Sequence, residues 1–103
     1  MMKLHSTLAA FCLLALAGGS AQAADPNLGR NLAATCANCH GTNGHAIAGS
    51  GLDALAGVDK AKTLQKLADF KSGVKPASIM HQIAKGYTDE QLDLIATYFA
   101  AQK

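Results

Sequence analysis

The most regular hydrophobic pattern of the chain lies close to its C-terminus. Apolar residues recur there at the spacing that places side chains on one face of an α-helix, and they are Leu92, Ile95, Ala96 and Phe99. The preceding residues 88–91, TDEQ, have the form of a capping box, and their acidic side chains suit the positive end of a helix. The pattern predicts an amphipathic helix that ends at about Ala101 and packs this face inward.

Three further helices are predicted upstream, with bounds of Asp25 to about Cys36, Lys60 to about Lys71 and Ser78 to about Lys85. Asp25, which is followed by a proline, and Asp59 suit the N-cap positions of the first two, and Gly86 ends the third. The side chains expected to face inward from the first two helices are Leu28, Leu32, Cys36, Leu64, Leu67 and Phe70.

The region between the first two helices has a different character. Five glycines fall between residues 41 and 57, which predicts an irregular and tightly folded loop. No segment alternates between apolar and polar residues for long enough to form a strand. The sequence therefore predicts an all-α fold of about four helices, in which the first and last helices cross with Gly29 and Leu32 near Tyr98 or Phe99.

The first 23 residues have the anatomy of a secretory signal peptide. A basic start is followed by an apolar run over residues 8–17 and by a small-residue cleavage pattern that ends at Ala23. The apolar run is too short to span a bilayer. We expect cleavage after Ala23, which would leave a single exported, periplasmic domain of residues 24–103 without a membrane span.

Composition limits what this domain can be. Residues 24–103 contain eight Lys and Arg against seven Asp and Glu, a balance that argues against a dedicated nucleic-acid binder. A domain of this size has a thin core and usually depends on disulfides, a metal or a cofactor. A disulfide between Cys36 and Cys39 would close a very small loop and stabilise little, so we expect these cysteines to hold a larger group.

The sequence Cys36-Ala37-Asn38-Cys39-His40 carries the clearest chemistry. Two thiols three positions apart on a helical turn can add to the two vinyl groups of one haem, and the following imidazole can bind its iron, which is the c-type haem attachment pattern. Three other uses of these cysteines are disfavoured. A redox-active pair would normally follow a β-strand, and no strand is predicted before Cys36. A zinc site would need a second pair of ligands, and a plain disulfide would leave His40 unexplained.

The sixth position of a haem iron could be filled in more than one way. Met80 is the one methionine in residues 24–103, and it follows the loop and the middle helix, which allows the chain to return on the opposite side of a haem. Its neighbour His81 is a chemically sound rival, and an open site is the third possibility. Because adjacent residues point about a hundred degrees apart around a helix, Met80 and His81 cannot both bind one iron without unwinding the turn. His45 is expected to be a solvent-facing loop residue.

These motifs resemble a known family. The segment LAATCANCHGTNG, residues 32–44, followed by a methionine and a terminal amphipathic helix, is similar to the class I c-type cytochromes. The sequences FKSG, residues 70–73, and ASIMHQIAKGYTDEQLDLIATYFAAQ, residues 77–102, resemble the cytochrome subunit of flavocytochrome c sulfide dehydrogenase and related dihaem cytochromes.

The resemblance implies a class I cytochrome c fold of about four helices around one covalently bound haem c. It implies thioether bonds at Cys36 and Cys39 and axial iron ligands at His40 and Met80. In this family a proline-containing loop offers a backbone carbonyl to the N–H of the proximal histidine. Asp53 stands about where that proline is expected, which leaves open the residue that supplies the carbonyl.

The resemblance also implies reversible one-electron transfer rather than catalysis by the chain itself. A flavoprotein dehydrogenase, one that oxidises sulfide for example, would be the electron donor. Its flavin would lie on another chain, because the glycines of this sequence follow no strand and form no dinucleotide fingerprint. A freely diffusing carrier that serves a terminal oxidase or reductase is the alternative, and a gas-binding haem protein would require an open sixth site.

Overall fold

The computed structural model describes residues 24–103, and the predicted signal peptide lies outside the described residues. All regular elements of the described chain are helical and none is a β-strand, as predicted. Its α-helices are α1 (Leu28–Ala33), α2 (Ala37–His40), α3 (Lys60–Ser72), α4 (Met80–Lys85) and α5 (Asp89–Ala100). A 3₁₀ turn at Ala34–Cys36 joins α1 to α2, so that the described chain has four helical regions. A second 3₁₀ turn, Thr42–Gly44, follows α2.

The first helical region begins later than predicted. Asn27, not Asp25, occupies the N-cap of α1. The Asp25 carboxylate instead accepts hydrogen bonds from the Asn27 backbone N–H at 2.8 Å and from the Asn31 side chain at 3.1 Å. Asp25 therefore holds the turn that precedes the helix, because a short carboxylate can bond the backbone two residues ahead. Leu28, predicted to face inward, is 41% exposed.

The helix predicted to run unbroken to Cys36 is interrupted at Ala34. The Thr35 hydroxyl lies 3.5 Å from the carbonyl oxygen of Leu32. Threonine side chains that bond backward to a carbonyl disturb the regular α-helical pattern. Cys36 is the last residue of this 3₁₀ turn and the N-cap of α2.

Two helices have the caps that the sequence predicts. The Asp59 side chain accepts a hydrogen bond from the Lys62 backbone N–H at the start of α3, and Thr88 and Gln91 form the capping box of α5. By contrast, α4 begins at Met80 rather than Ser78, and its N-cap residue makes no side-chain capping bond.

The core of the described chain is small. Its buried hydrophobic residues are Ala33, Ala84, Leu92, Ile95, Ala96 and Phe99, so all four apolar residues predicted for the inner face of α5 are buried. Leu32, Cys36, Leu64 and Leu67 pack against this core and are partly buried. Phe70 is half-buried and lies instead beneath the ammonium group of Lys75.

The first and last helices cross at Gly29, as predicted. A Cβ atom added there would lie 3.0 Å from the Leu94 carbonyl oxygen and 3.7 Å from the Cβ of Tyr98. The absence of a side chain at Gly29 therefore permits the close approach of α1 and α5. Helix α3 packs against both α4 and α5, and none of the helices within residues 24–103 is long and apolar enough to cross a membrane.

The glycine-rich loop is anchored at both of its ends. The Gly44 carbonyl accepts hydrogen bonds from the backbone N–H groups of Leu55 at 2.8 Å and Ala56 at 3.1 Å, and the Gly57 N–H donates to the Phe99 carbonyl at 2.9 Å. Gly44 has a φ of 80°, and a Cβ there would lie 2.8 Å from the Phe99 ring. The loop therefore closes on itself and on α5, which fixes the position of residue 53 within it.

Candidate functional site

The cysteine-containing turn and α2 bring three of the predicted site residues together. Cys36 ends the 3₁₀ turn, and Cys39 and His40 are the last two residues of α2. Both cysteines are free thiols; Cys36 is half-buried and Cys39 is exposed. One helical turn therefore presents two unoxidised thiols and an imidazole, the donor set that covalent haem attachment requires.

Burial raises the pKa of the Cys36 thiol above its ordinary value, because desolvation disfavours the thiolate. A hydrogen bond from Thr35 acts in the opposite direction but is the smaller effect. Cys36 is therefore held as a neutral thiol at neutral pH.

The His40 ring is oriented by a backbone carbonyl. Its Nδ1 lies 2.6 Å from the Asp53 carbonyl oxygen, and since a carbonyl can only accept, Nδ1–H is the donor. In the neutral imidazole the lone pair is then on Nε2, which leaves this nitrogen free to bind a metal. Asp53, the residue in the place of the expected proline, therefore supplies the carbonyl that the sequence left unassigned.

A glycine ends α2 directly after His40. Gly41 is buried and has a φ of 84°, and a Cβ added there would lie 1.8 Å from the His45 carbonyl oxygen. Glycine is required here by conformation and by space, because any side chain would collide with the backbone. The sharp turn directs the chain into the loop that carries Asp53. His45 itself is exposed, as predicted.

Met80 and His81 lie apart from the cysteine motif in sequence, in the first turn of α4. Met80 is half-buried. His81 is also half-buried, and its Nδ1 is buried without a hydrogen-bond partner among the described residues. His81 therefore lies partly inward: it is three residues before Ala84, which is fully buried, and shares its face of the helix.

One side-chain contact connects the two parts of the site. The hydroxyl groups of Thr35 and Tyr87 lie 2.7 Å apart. Thr35 directly precedes Cys36, and Tyr87 is the second residue after α4. The cysteine-bearing turn and the methionine-bearing helix are therefore held together although the two residues are 52 positions apart.

No cluster of three or more His, Cys, Asp or Glu residues within residues 24–103 is arranged to hold a metal ion. A zinc site built from the cysteines and a second ligand pair is therefore not formed by these residues.

Comparison with known families identifies the chain. The profile of the cytochrome c family matches residues 26–103. The chain belongs to the cytochrome c family. Its all-α fold and its cysteine–histidine turn are those of a class I c-type cytochrome, and the family implies covalently bound haem c and electron transfer.

This cytochrome is similar to an electron acceptor of thiosulfate dehydrogenase, to a cytochrome subunit of sulfide dehydrogenase and to a cytochrome c-553. It is 37% identical over 107 residues to the thiosulfate dehydrogenase electron acceptor of Stutzerimonas stutzeri, an alignment that covers 98% of this chain and 49% of that protein. It is 39% identical over 71 residues to the cytochrome subunit of sulfide dehydrogenase of Chlorobaculum tepidum, covering 69% and 63%. It is 29% identical to cytochrome c-553 of Nitratidesulfovibrio vulgaris, covering 97% and 98%. The chain thus spans about half the length of the first relative and under two thirds of the second.

Sequence reasoning missed two residues of this arrangement, Thr35 and Tyr87. Neither belongs to a motif with a recognisable spacing, and a hydrogen bond between residues so distant in sequence has no local signature. The position of Tyr87 in the short linker between two predicted helices was the one available signal, since functional residues are found disproportionately on loops.

Proposed function

We propose that this cytochrome is a periplasmic one-electron carrier with one haem c that is bound by His40 and Met80. The hydrogen bond from His40 Nδ1 to the Asp53 carbonyl carries the proposal. It leaves Nε2 as the free nitrogen of an imidazole that directly follows two free thiols. Cys36 and Cys39 would form the thioether bonds.

The residues present fit a large, flat and mostly apolar group. Leu52 and Ile79, which adjoin Asp53 and Met80 in sequence, are 45% and 53% exposed, and Ile83 is 37% exposed. Exposed apolar side chains next to candidate ligands favour a cofactor that covers them. The core is also too thin to stabilise this domain easily without one.

The chemistry divides between cofactor and chain. Bound haem supplies the reversible Fe(III)/Fe(II) couple. His40 binds on one side, and the Asp53 carbonyl increases the basicity of its imidazole. Met80 would supply a soft thioether ligand, which favours the ferrous state and raises the reduction potential. With His40 and Met80 both bound to iron, the chain would leave no position there for a substrate, and its role would be electron transfer.

The predicted signal peptide, residues 1–23, supports a periplasmic location. Covalent haem attachment suits an exported protein, since a covalent link prevents loss of the cofactor after secretion.

For the electron donor we propose a dehydrogenase that oxidises a reduced sulfur compound, with its flavin on a separate chain. The printed names of two relatives, an electron acceptor of thiosulfate dehydrogenase and a cytochrome subunit of sulfide dehydrogenase, support this assignment. The alternative is a freely diffusing carrier. It is favoured by the relative whose whole length this chain matches, cytochrome c-553. Co-purification with a flavoprotein at high salt supports the bound subunit, whereas salt-sensitive association supports the carrier.

Paired substitutions in α4 test the ligand assignment. Met80→Ala should abolish the far-red absorption band of ferric iron bound to a thioether and should lower the reduction potential, because the remaining ligands stabilise Fe(II) less well. His81→Ala is the matched control in the neighbouring position and should retain both the band and the potential. Absorption spectra and redox titration of the purified proteins provide the measurement.

The reverse result, with the larger change in His81→Ala, would assign the sixth position to His81, whose buried Nδ1 makes it the rival ligand. A wild-type ferrous protein that readily binds carbon monoxide at neutral pH would instead indicate an open site and a gas-binding function.

A further inference from the structure

We infer that the Tyr87 hydroxyl is a positioning group for Met80, acting through its hydrogen bond to Thr35. The inference rests on the proposed His40/Met80 ligation and extends it to a side chain outside the ligand set. Its basis is the way in which α4 is held in the fold.

Helix α4 has few anchors of its own. It is six residues long, too short to be stable in isolation. Its N-cap residue Ile79 makes no side-chain capping bond and is 53% exposed. Ala84 is the residue of this helix that is fully buried. The position of Met80 therefore depends on the packing of α4 against α3 and on the linker that follows.

Tyr87 is the central residue of that linker and is held from three directions. Its carbonyl accepts a hydrogen bond from the Lys71 ammonium group at 3.0 Å, and Lys71 is itself paired with Asp89 at 2.9 Å. Its ring packs against the core. Its hydroxyl reaches Thr35 at 2.7 Å. Because α4 ends two residues before Tyr87, these contacts fix the C-terminal end of the methionine-bearing helix.

The Thr35 end of this contact belongs to the cysteine-bearing turn. The Thr35 hydroxyl also lies 3.5 Å from the Leu32 carbonyl, which can only accept. Either hydroxyl can be the donor in the contact between Thr35 and Tyr87. The hydrogen bond therefore sets the separation between the segment that carries Cys36 and the helix that carries Met80.

Loss of the hydroxyl should make Met80 easier to displace. Tyr87→Phe retains the packing of the ring but releases the linker, so that an external ligand competes better with the thioether. We expect the apparent affinity of the ferric protein for imidazole to rise about three- to tenfold, and tenfold corresponds to about 1.4 kcal/mol, near the upper end for a neutral hydrogen bond. The apparent affinity is measured by titrating the ferric protein with imidazole and following the loss of the far-red band.

Substitution of Thr35, the hydrogen-bond partner of Tyr87, tests whether loss of this hydrogen bond causes the change in imidazole affinity. Thr35→Val keeps the size of the side chain and removes its hydroxyl group, and it should raise imidazole affinity by a similar factor. The double variant should show no larger change than either single variant, because both remove the same interaction.

Tyr98→Phe is the matched control. The Tyr98 hydroxyl donates to the Asn43 side chain at 2.5 Å, and its ring also packs against the core. This variant loses an equivalent side-chain hydrogen bond that does not involve the linker after α4. It should lose stability in a denaturant titration much as Tyr87→Phe does, while its imidazole affinity should change less than twofold.

The outcomes separate this inference from the ligation on which it rests. A wild-type ferric protein without the far-red band would overturn the Met80 ligation and with it the role of Tyr87. If the wild type shows the band and Tyr87→Phe loses only stability, as the Tyr98 control does, Tyr87 is merely structural. Additive effects of Thr35→Val and Tyr87→Phe would likewise overturn the inference.

Discussion

At the scale of single residues, His40 illustrates how far this site depends on backbone atoms. Its Nδ1 bonds the carbonyl of Asp53, whereas the Asp53 carboxylate lies 3.4 Å from the ammonium group of Lys66. The side chain at position 53 therefore takes no part in orienting the imidazole. This explains how an aspartate can occupy the position where the family resemblance suggests a proline.

Substitution of Asp53 should therefore leave the haem site intact. Asp53→Ala keeps the carbonyl and removes an exposed ion pair, which contributes about 0.5 kcal/mol or less. We expect the reduction potential and the visible spectrum to be unchanged and the free energy of unfolding to fall only slightly. Redox titration and denaturant unfolding provide the measurements.

Lys66→Ala serves as the control, because it breaks the same ion pair from the other side. A large fall in potential in Asp53→Ala that Lys66→Ala does not reproduce would mean that the carboxylate, not the carbonyl, interacts with His40.

At the scale of elements, α5 and α4 differ in how completely their own sequences specify them. Helix α5 has a capping box, acidic residues in its first turn and four buried apolar residues. Helix α4 lacks a side-chain cap and depends on its neighbours. The helix with a capping box and a buried apolar face therefore supports the core, while the helix without a side-chain cap carries the proposed sixth ligand.

The cap of α5 makes a measurable contribution to stability. Thr88→Ala removes the oxygen that accepts from the Gln91 N–H at 3.1 Å, so we expect the free energy of unfolding to fall by about 1 kcal/mol. Thr97→Ala is the control on the same helix, since its hydroxyl donates to the Asp93 carbonyl within the helix and its loss should cost about 0.5 kcal/mol or less. Equal losses in the two variants, measured by denaturant unfolding, would show that the capping box contributes nothing specific.

The elements also show what a sequence can and cannot predict. Periodicity identified α5 and α3 because their signals lie within one helix. The predicted start of α1 was wrong because the Asp25 carboxylate accepts hydrogen bonds in the turn before the helix and does not cap the helix. The contact between Thr35 and Tyr87 and the burial of His81 Nδ1 depend on how distant segments pack, which no local pattern encodes. The haem motif was recognisable because covalent chemistry fixes the spacing of Cys36 and Cys39.

At the scale of the whole molecule, the polypeptide alone provides little hydrophobic stabilisation. Three of the six buried hydrophobic residues among the described ones are alanines, which remove little apolar surface from water. Ile47 is 71% exposed, and Leu52, Ile79 and Ile83 are also exposed. The entropic cost of ordering a chain of this length is large, so we expect the covalently attached cofactor to complete the core.

A chain that cannot attach haem should consequently fail to fold. We expect the double variant Cys36→Ala/Cys39→Ala, produced by the same exporting cells, to show little helical signal in far-ultraviolet circular dichroism and no cooperative thermal transition. The single variant Cys39→Ala is the control: with the thioether at Cys36 it should keep its helices but unfold at a lower temperature. Cooperative unfolding of a haem-free double variant with the helix content of the parent would show that the small core suffices. The cofactor would then serve electron transfer without being needed for the fold.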